Sequence, residues 1–293
     1  MAMMNQLRSP LPWQCGKHYS AQFILSQLPT SSQYGIFVDV FGGGANILLN
    51  KAVSSHLEIY NDINDDLVNC WMHLRDEPAQ MQERLQSLPY ARSLYYAYHK
   101  SLVDGTLLDP LERAVRWFYV LRSSFRAEVS AFPNGWNGSV KDKLTLSAKT
   151  YRNLDFHAIA ERFQHVNIDC RDFEAVIKQY QQVEDLRTLL YCDPPYINSE
   201  HYYKPSKDAN YTAFHQRLAC VLNETPALVT LSYYEHPWLD ELYPAEKWRR
   251  VRFETIKHSQ RTKPTRDKAP ELLLTNYAPA NVTKSLWDAE VAI

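Results

Sequence analysis

The chain has 293 residues, 45% hydrophobic and 22% charged, with a formal net charge of −1. That length suits about two domains, and the balance excludes a disordered, fibrous or disulfide-stapled chain. No stretch approaches the ~20 apolar residues of a membrane span, and Met1-Ala2-Met3-Met4-Asn5-Gln6 lacks the segments of a signal peptide.

The first regular segment is an α/β unit. Ile36 to Phe41 reads as a strand, Gly42-Gly43-Gly44 as a tight turn, and Ala45 to Lys51 as the start of a helix. A glycine turn after a first strand brings backbone close to a ligand at a helix N-terminus. The turn departs from G-x-G-x-x-G, which disfavours NAD. Leu57 to Tyr60 is a second strand, ending at Asn61-Asp62. Asp62 lies about twenty residues past the turn, the offset at which a carboxylate meets ribose hydroxyls in Rossmann-type folds. An adenosine-bearing cofactor without a pyrophosphate suits this pair, and S-adenosylmethionine (SAM) is the candidate. The alternative for Asp62 is a cap ahead of Asp65-Asp66.

Residues 67 to 126 then turn helical, with Leu111, Val115, Phe118 and Leu121 at helical spacing behind Pro110 at a helix start. Phe132 to Gly138 carries turn signals and reads as an exposed loop or hairpin. Alternating α/β character returns after Tyr151. Val166 to Asp169 is a strand, Asp172 to Gln182 a helix, Leu189 to Cys192 a buried strand, Tyr211 to Asn223 a helix and Ala227 to Leu231 a strand. Val251 to Ile256 and Glu271 to Tyr277 are two further strands around a basic loop. The simplest architecture is an α/β, Rossmann-like sheet, residues 1–69 and 151–293, interrupted by a mainly helical insertion over 70–150.

Five cysteines, at 15, 70, 170, 192 and 220, are scattered without a C-x-x-C pair. They argue for a reducing cytoplasm and against a zinc site, and none of the ten histidines forms an H-E-x-x-H pair. No metal is expected. Charge is uneven: Glu112 to Arg152 holds eight Lys/Arg against three Asp/Glu, and Lys247 to Lys268 nine against two. Two basic segments on a near-neutral protein suit contact with a polyanion, against the alternative of solvated loops.

The most informative residues follow the buried strand at 189–192: Asp193-Pro194-Pro195-Tyr196. An acid at the carboxyl end of such a strand sits where open α/β sheets place ligands. Two prolines fix φ and remove two amide donors, so their carbonyls stand as rigid acceptors. With the ring of Tyr196, this set suits a flat substrate bearing an amino group, such as an adenine taken out of its stack. Asp193 and the Pro194 carbonyl would accept the amino hydrogens and Tyr196 would stack on the base. The alternative is a proline turn with a buried tyrosine.

These motifs, in this order, resemble the Dam-type DNA adenine methyltransferases in which the recognition domain lies between the cofactor and catalytic motifs. Pro12-Trp13-Gln14-Cys15-Gly16-Lys17 resembles the W-x-G-G-K element that folds over the cofactor, with Cys15 for the first glycine. Asp39-Val40-Phe41-Gly42-Gly43-Gly44-Ala45 is similar to the E-P-F-x-G-x-G loop, with Val40 for its proline and Ala45 for its last glycine. Asn61-Asp62-Ile63-Asn64 matches the pair that holds ribose and adenine, Asp172-Phe173 the element beside the cofactor adenine, and Glu271-Leu272-Leu273 the late strand that closes the sheet. The resemblance implies SAM held by Trp13, Lys17, Asp39, Phe41, Gly42, Gly43, Gly44, Asn46, Asp62, Ile63, Asp172, Phe173 and Asp193, and a catalytic Asp193-Pro194-Pro195-Tyr196.

It also implies double-stranded DNA as substrate and leaves room for a paired restriction nuclease. Arg122, Arg126, Lys141, Lys143, Arg261 and Lys263 are candidates for phosphate contact. Asn134, Trp136 and Asn137 are candidates for reaching base edges or wedging into the flipped gap. The family's GATC-reading run has no match in Arg122-Ser123-Ser124-Phe125-Arg126-Ala127, so that specificity is not carried over. The competing readings are a SAM-dependent methyltransferase of RNA or a protein amide, and a degenerate relative that binds DNA without turnover.

Overall fold

The structure is a computed structural model that describes residues 7–13, 17–125, 129, 133, 135–138, 154–183, 185–198, 211–256 and 268–278. Seven strands form one sheet: β1 (Ile36–Asp39), β2 (Leu57–Asn61), β3 (Val166–Asp169), β4 (Thr188–Cys192), β5 (Leu228–Tyr234), β6 (Arg249–Ile256) and β7 (Lys268–Thr275). Their order is β3-β2-β1-β4-β5-β7-β6. The first five are parallel, and β7 runs antiparallel to both β5 and β6. This is a Rossmann-like arrangement, as the sequence leads one to expect. The chain reverses order between β1 and β4, the kind of switch point at whose carboxyl ends open α/β sheets place ligands.

Period-two alternation divides the sheet between two cores. Phe37, Tyr60, Leu189, Tyr191 and Leu273 face one, and Ile36, Val38, Leu190, Cys192, Val229 and Leu274 the other. The first core is covered by α1 (Ala21–Gln27), α2 (Asn46–Asn50) and a helical group: α3 (Asp65–Asp76), α4 (Pro78–Ser87), α5 (Arg92–Val103), α6 (Pro110–Ser123) and α7 (Phe156–Phe163). The second is covered by α8 (Phe173–Tyr180), α9 (Tyr211–Glu224) and α10 (Trp238–Leu242).

Local rules explain the ends. Asn64 caps α3 by accepting from the Leu67 amide, and Asp109 caps α6 ahead of Pro110 in its first turn. The helices of the expected insertion share the sheet's first core: Trp71 stacks on Phe163, centroids 4.5 Å apart, and Tyr60 packs against Trp71. The bidentate Arg113–Asp66 pair, at 2.5 and 3.0 Å, ties α6 to α3. The expected boundary near residue 70 falls inside α3.

Candidate active site

Asp39 ends β1, and Asp62 and Asp193 follow the ends of the adjacent strands β2 and β4, each two residues beyond the cross-strand partner of Asp39. Asn61 holds this edge together. Its amide donates to the carbonyls of Val40 and Arg171 at 3.0 and 3.1 Å and accepts from the Arg171 amide at 3.0 Å. One side chain thus joins the ends of β1 and β2 to the turn after β3.

The glycine turn is clamped from within. The Gly43 amide donates to Asp62 Oδ2 at 3.0 Å, and its carbonyl accepts from Tyr60 Oη and Trp71 Nε1 at 2.8 and 3.0 Å. Gly43 has φ +48°, and a Cβ there would lie 2.5 Å from Trp13 Cδ1. Trp13 therefore lies over the turn, and the sequence led us to expect it at the cofactor. Ala45 also takes a left-handed conformation, φ 52°, and Asn46 opens α2 directly after it. Phe41 packs against Phe173 at 5.7 Å between centroids, so these two expected cofactor contacts meet. Ile63 presents an apolar side chain, 54% exposed, beside Asp62.

Asp39 is only 2% exposed, and its Oδ1 has no hydrogen-bond partner. Burial, and then the charges of Asp193 and Asp62, push its carboxyl well above the usual range. Burial raises Asp62 to about 6, against the opposing pull of the Asn64, Gly43 and Ile63 amides. A buried carboxylate oxygen without a donor calls for one, and mutually repelling acids call for a cation. SAM carries both an ammonium and a sulfonium, so the residues present fit it. Asp62 also accepts from the Asn64 amide at 2.9 Å, while the helix cap itself is Asn64.

Other expected residues have structural partners. Asp172 caps α8 and forms a bidentate pair with Arg217 at 2.8 and 2.9 Å, both oxygens engaged. Arg122 donates to the Pro10 carbonyl at 2.8 Å, tying α6 to the N-terminal segment. Trp136 packs against Tyr90 at 5.3 Å beneath the Arg92 guanidinium and pairs in an antiparallel bridge with Ser124. The Asn137 amide donates to the Ser123 carbonyl at 2.8 Å, and its carbonyl accepts from Tyr90 Oη at 2.7 Å. Arg126, Asn134, Lys141, Lys143, Arg261 and Lys263 lie outside the described residues. Among the described residues no cluster of His, Cys, Asp and Glu has metal-site geometry, and no helix is long and apolar enough to cross a membrane.

The Asp193-Pro194-Pro195-Tyr196 segment leaves β4 without regular structure. Lys17, expected at the cofactor, lies against this segment: Nζ is 2.9 Å from Asp193 Oδ1 and donates to Tyr196 Oη. Tyr196 is 3% exposed, with Tyr234 standing edge-on at 4.5 Å. Stacking on a base needs that cover to open. Glu271 on β7, 3.8 Å from Lys17 Nζ, joins this cluster, and sequence reasoning gave it no chemical role. Its only signal is a lone acid ahead of Leu272-Leu273-Leu274.

The model of the D12 class N6 adenine-specific DNA methyltransferases matches residues 13–256. The chain belongs to this family. It is a DNA adenine methyltransferase, and methyltransferases of this family are SAM-dependent in general. The methyltransferase is 26% identical to the type II methyltransferase M1.LlaDCHI of Lactococcus lactis subsp. cremoris, over 92% of this chain and 96% of that one. It is 25% identical to the type II methyltransferase M.FokI of Planomicrobium okeanokoites over 96% of its own length, but spans 44% of that longer protein. It is 23% identical to the type II methyltransferase M.MjaIII of Methanocaldococcus jannaschii, over 70% of this chain and 72% of that one.

Proposed function

We propose that this DNA adenine methyltransferase uses SAM bound over the carboxyl ends of β1 and β2, and acts on an adenine turned out of double-stranded DNA. Asp39 would meet the cofactor ammonium and Asp62 its ribose hydroxyls. Trp13, Phe41, Ile63 and Phe173 would supply apolar walls, and the turn from Gly42 to Asn46 the close backbone. When bound, SAM supplies an electrophilic methyl group on a sulfonium. The chain's part is to prepare the nucleophile.

The exocyclic nitrogen of adenine is a poor nucleophile because its lone pair is delocalised into the ring. Asp193 and the Pro194 carbonyl accept its two hydrogens, which favours a more tetrahedral, electron-rich nitrogen. Pro195 stiffens the segment, and Tyr196 offers a face for the base once Tyr234 gives way. Residues 70–150 read the DNA, and residues 1–69 and 151–293 bind SAM and carry the chemistry. The candidates Arg126, Lys141, Lys143, Arg261 and Lys263 would hold phosphates, and Asn134, Trp136 and Asn137 would lie near the bases. A paired restriction nuclease fits the type II relatives.

The observation that carries this reading is the convergence of Asp39, Asp62 and Asp193 at one edge of three adjacent strands. Asp193→Ala tests it. The variant should keep its fold and lose transfer to DNA by ~10²-fold or more, as a missing polarising group at a reacting centre does. Wild-type transfer would remove Asp193 from the mechanism.

A further inference from the structure

Lys17 is 4% exposed, and its ammonium stands among three oxygen groups from two distant parts of the chain. Asp193 Oδ1 is 2.9 Å away and Glu271 Oε1 3.8 Å away, and the Tyr196 hydroxyl accepts a hydrogen bond from the same Nζ. An ammonium has three donors and a flexible four-carbon stem. Two of its contacts, to Asp193 and Tyr196, belong to the Asp193–Tyr196 segment. A third contact to a fixed point holds it in place.

Glu271 is that fixed point. It lies within β7, registered between Tyr234 of β5 and Phe253 of β6, and is 5% exposed. Holding a carboxylate inside a strand that continues Leu272-Leu273-Leu274 is costly for stability alone, since an apolar residue packs there without desolvating a charge.

We infer that Glu271 is a positioning residue for methyl transfer, acting through Lys17 to fix Asp193 and Tyr196 relative to the sheet. This rests on the reading of Asp193 as the acceptor of the adenine amino group. Glu271 also shares the positive charge of Lys17, so that Asp193 keeps enough negative charge to accept from the substrate.

The test is steady-state methyl transfer to DNA with SAM, using Glu271→Gln, Glu271→Asp, Lys17→Met and the double variant Lys17→Met/Glu271→Gln. Small displacements of a catalytic group reduce turnover rather than binding, so Glu271→Gln should lower kcat roughly 10- to 100-fold. Its KM for DNA and Kd for SAM should stay near wild type. Glu271→Asp, which keeps the charge, should recover part of the loss. Because both residues act along one line, the double variant should be about as slow as Lys17→Met alone.

Wild-type kcat in Glu271→Gln, a loss confined to KM, or losses that multiply in the double variant would each overturn the inference. Should the glutamine variant melt early, Glu271→Met carries the test, and a wild-type kcat there overturns it equally. Asp193→Ala in the same assay separates the two levels. If it turns over normally, the underlying reading falls. If it is inactive while Glu271→Gln is normal, only this inference does.

Discussion

Asp39 and Asp62 place two buried acids at a site whose expected ligand is cationic. Burial keeps Asp39 well above the normal carboxyl range and Asp62 at about 6. Each is therefore partly protonated in the ligand-free protein at pH values where a free carboxyl is fully ionised. A ligand that donates to the ionised forms lowers both values, so binding releases protons. Affinity for SAM should accordingly rise as pH rises through about 6 and level off above it. Calorimetry in buffers of different ionisation enthalpy should register proton release, and Asp62→Asn should diminish it. Proton uptake, or affinity that falls with rising pH, would count against these two acids as cofactor contacts.

At the scale of elements, the glycine turn is the part most sensitive to a single atom. Gly43 combines a left-handed φ of +48° with Trp13 lying 2.5 Å from the place a Cβ would take. Gly43→Ala should lower stability by roughly 1–3 kcal/mol, as overpacking does, and weaken SAM more than DNA. Thermal melts and binding isotherms decide this, and an unshifted melt would mean that Trp13 moves aside at no cost. Strands β1, β2 and β4 were legible because parallel strands buried on both faces read as continuous apolar runs, and all but one of the residues of β1, β2 and β4 are buried. Helix α7 escaped notice because its buried residues, Phe156, Ile159 and Phe163, are too few for a period to register in eight positions. Helix α1, with only Ala21 and Ile24 buried, escaped for the same reason.

The whole molecule brings together what sequence distance conceals. Lys17 and Tyr196 are 179 positions apart, and no periodicity predicts their contact. The motifs announced the acids and the glycine turn, but not that Lys17 would lie against Asp193 and Tyr196. The two basic segments are also reduced by folding. Arg113 pairs with Asp66, Arg116 with Glu112, Arg250 with Asp240 and Arg252 with Glu235. Charge left for DNA then falls to candidates such as Lys141 and Lys143. Replacing both with alanine should lower the slope of log affinity for DNA against log salt by about 2, near 0.9 for each lost phosphate contact. An unchanged slope would place the DNA elsewhere.

The central claim is that the Asp193-Pro194-Pro195-Tyr196 site methylates adenine in DNA. Its most direct test is long-read modification mapping of DNA from cells expressing the protein, with Asp193→Ala as control. The account predicts methylated adenine within one defined sequence motif, absent from the control. Unmodified adenines with the wild-type protein, or the same methylation with Asp193→Ala, would contradict it.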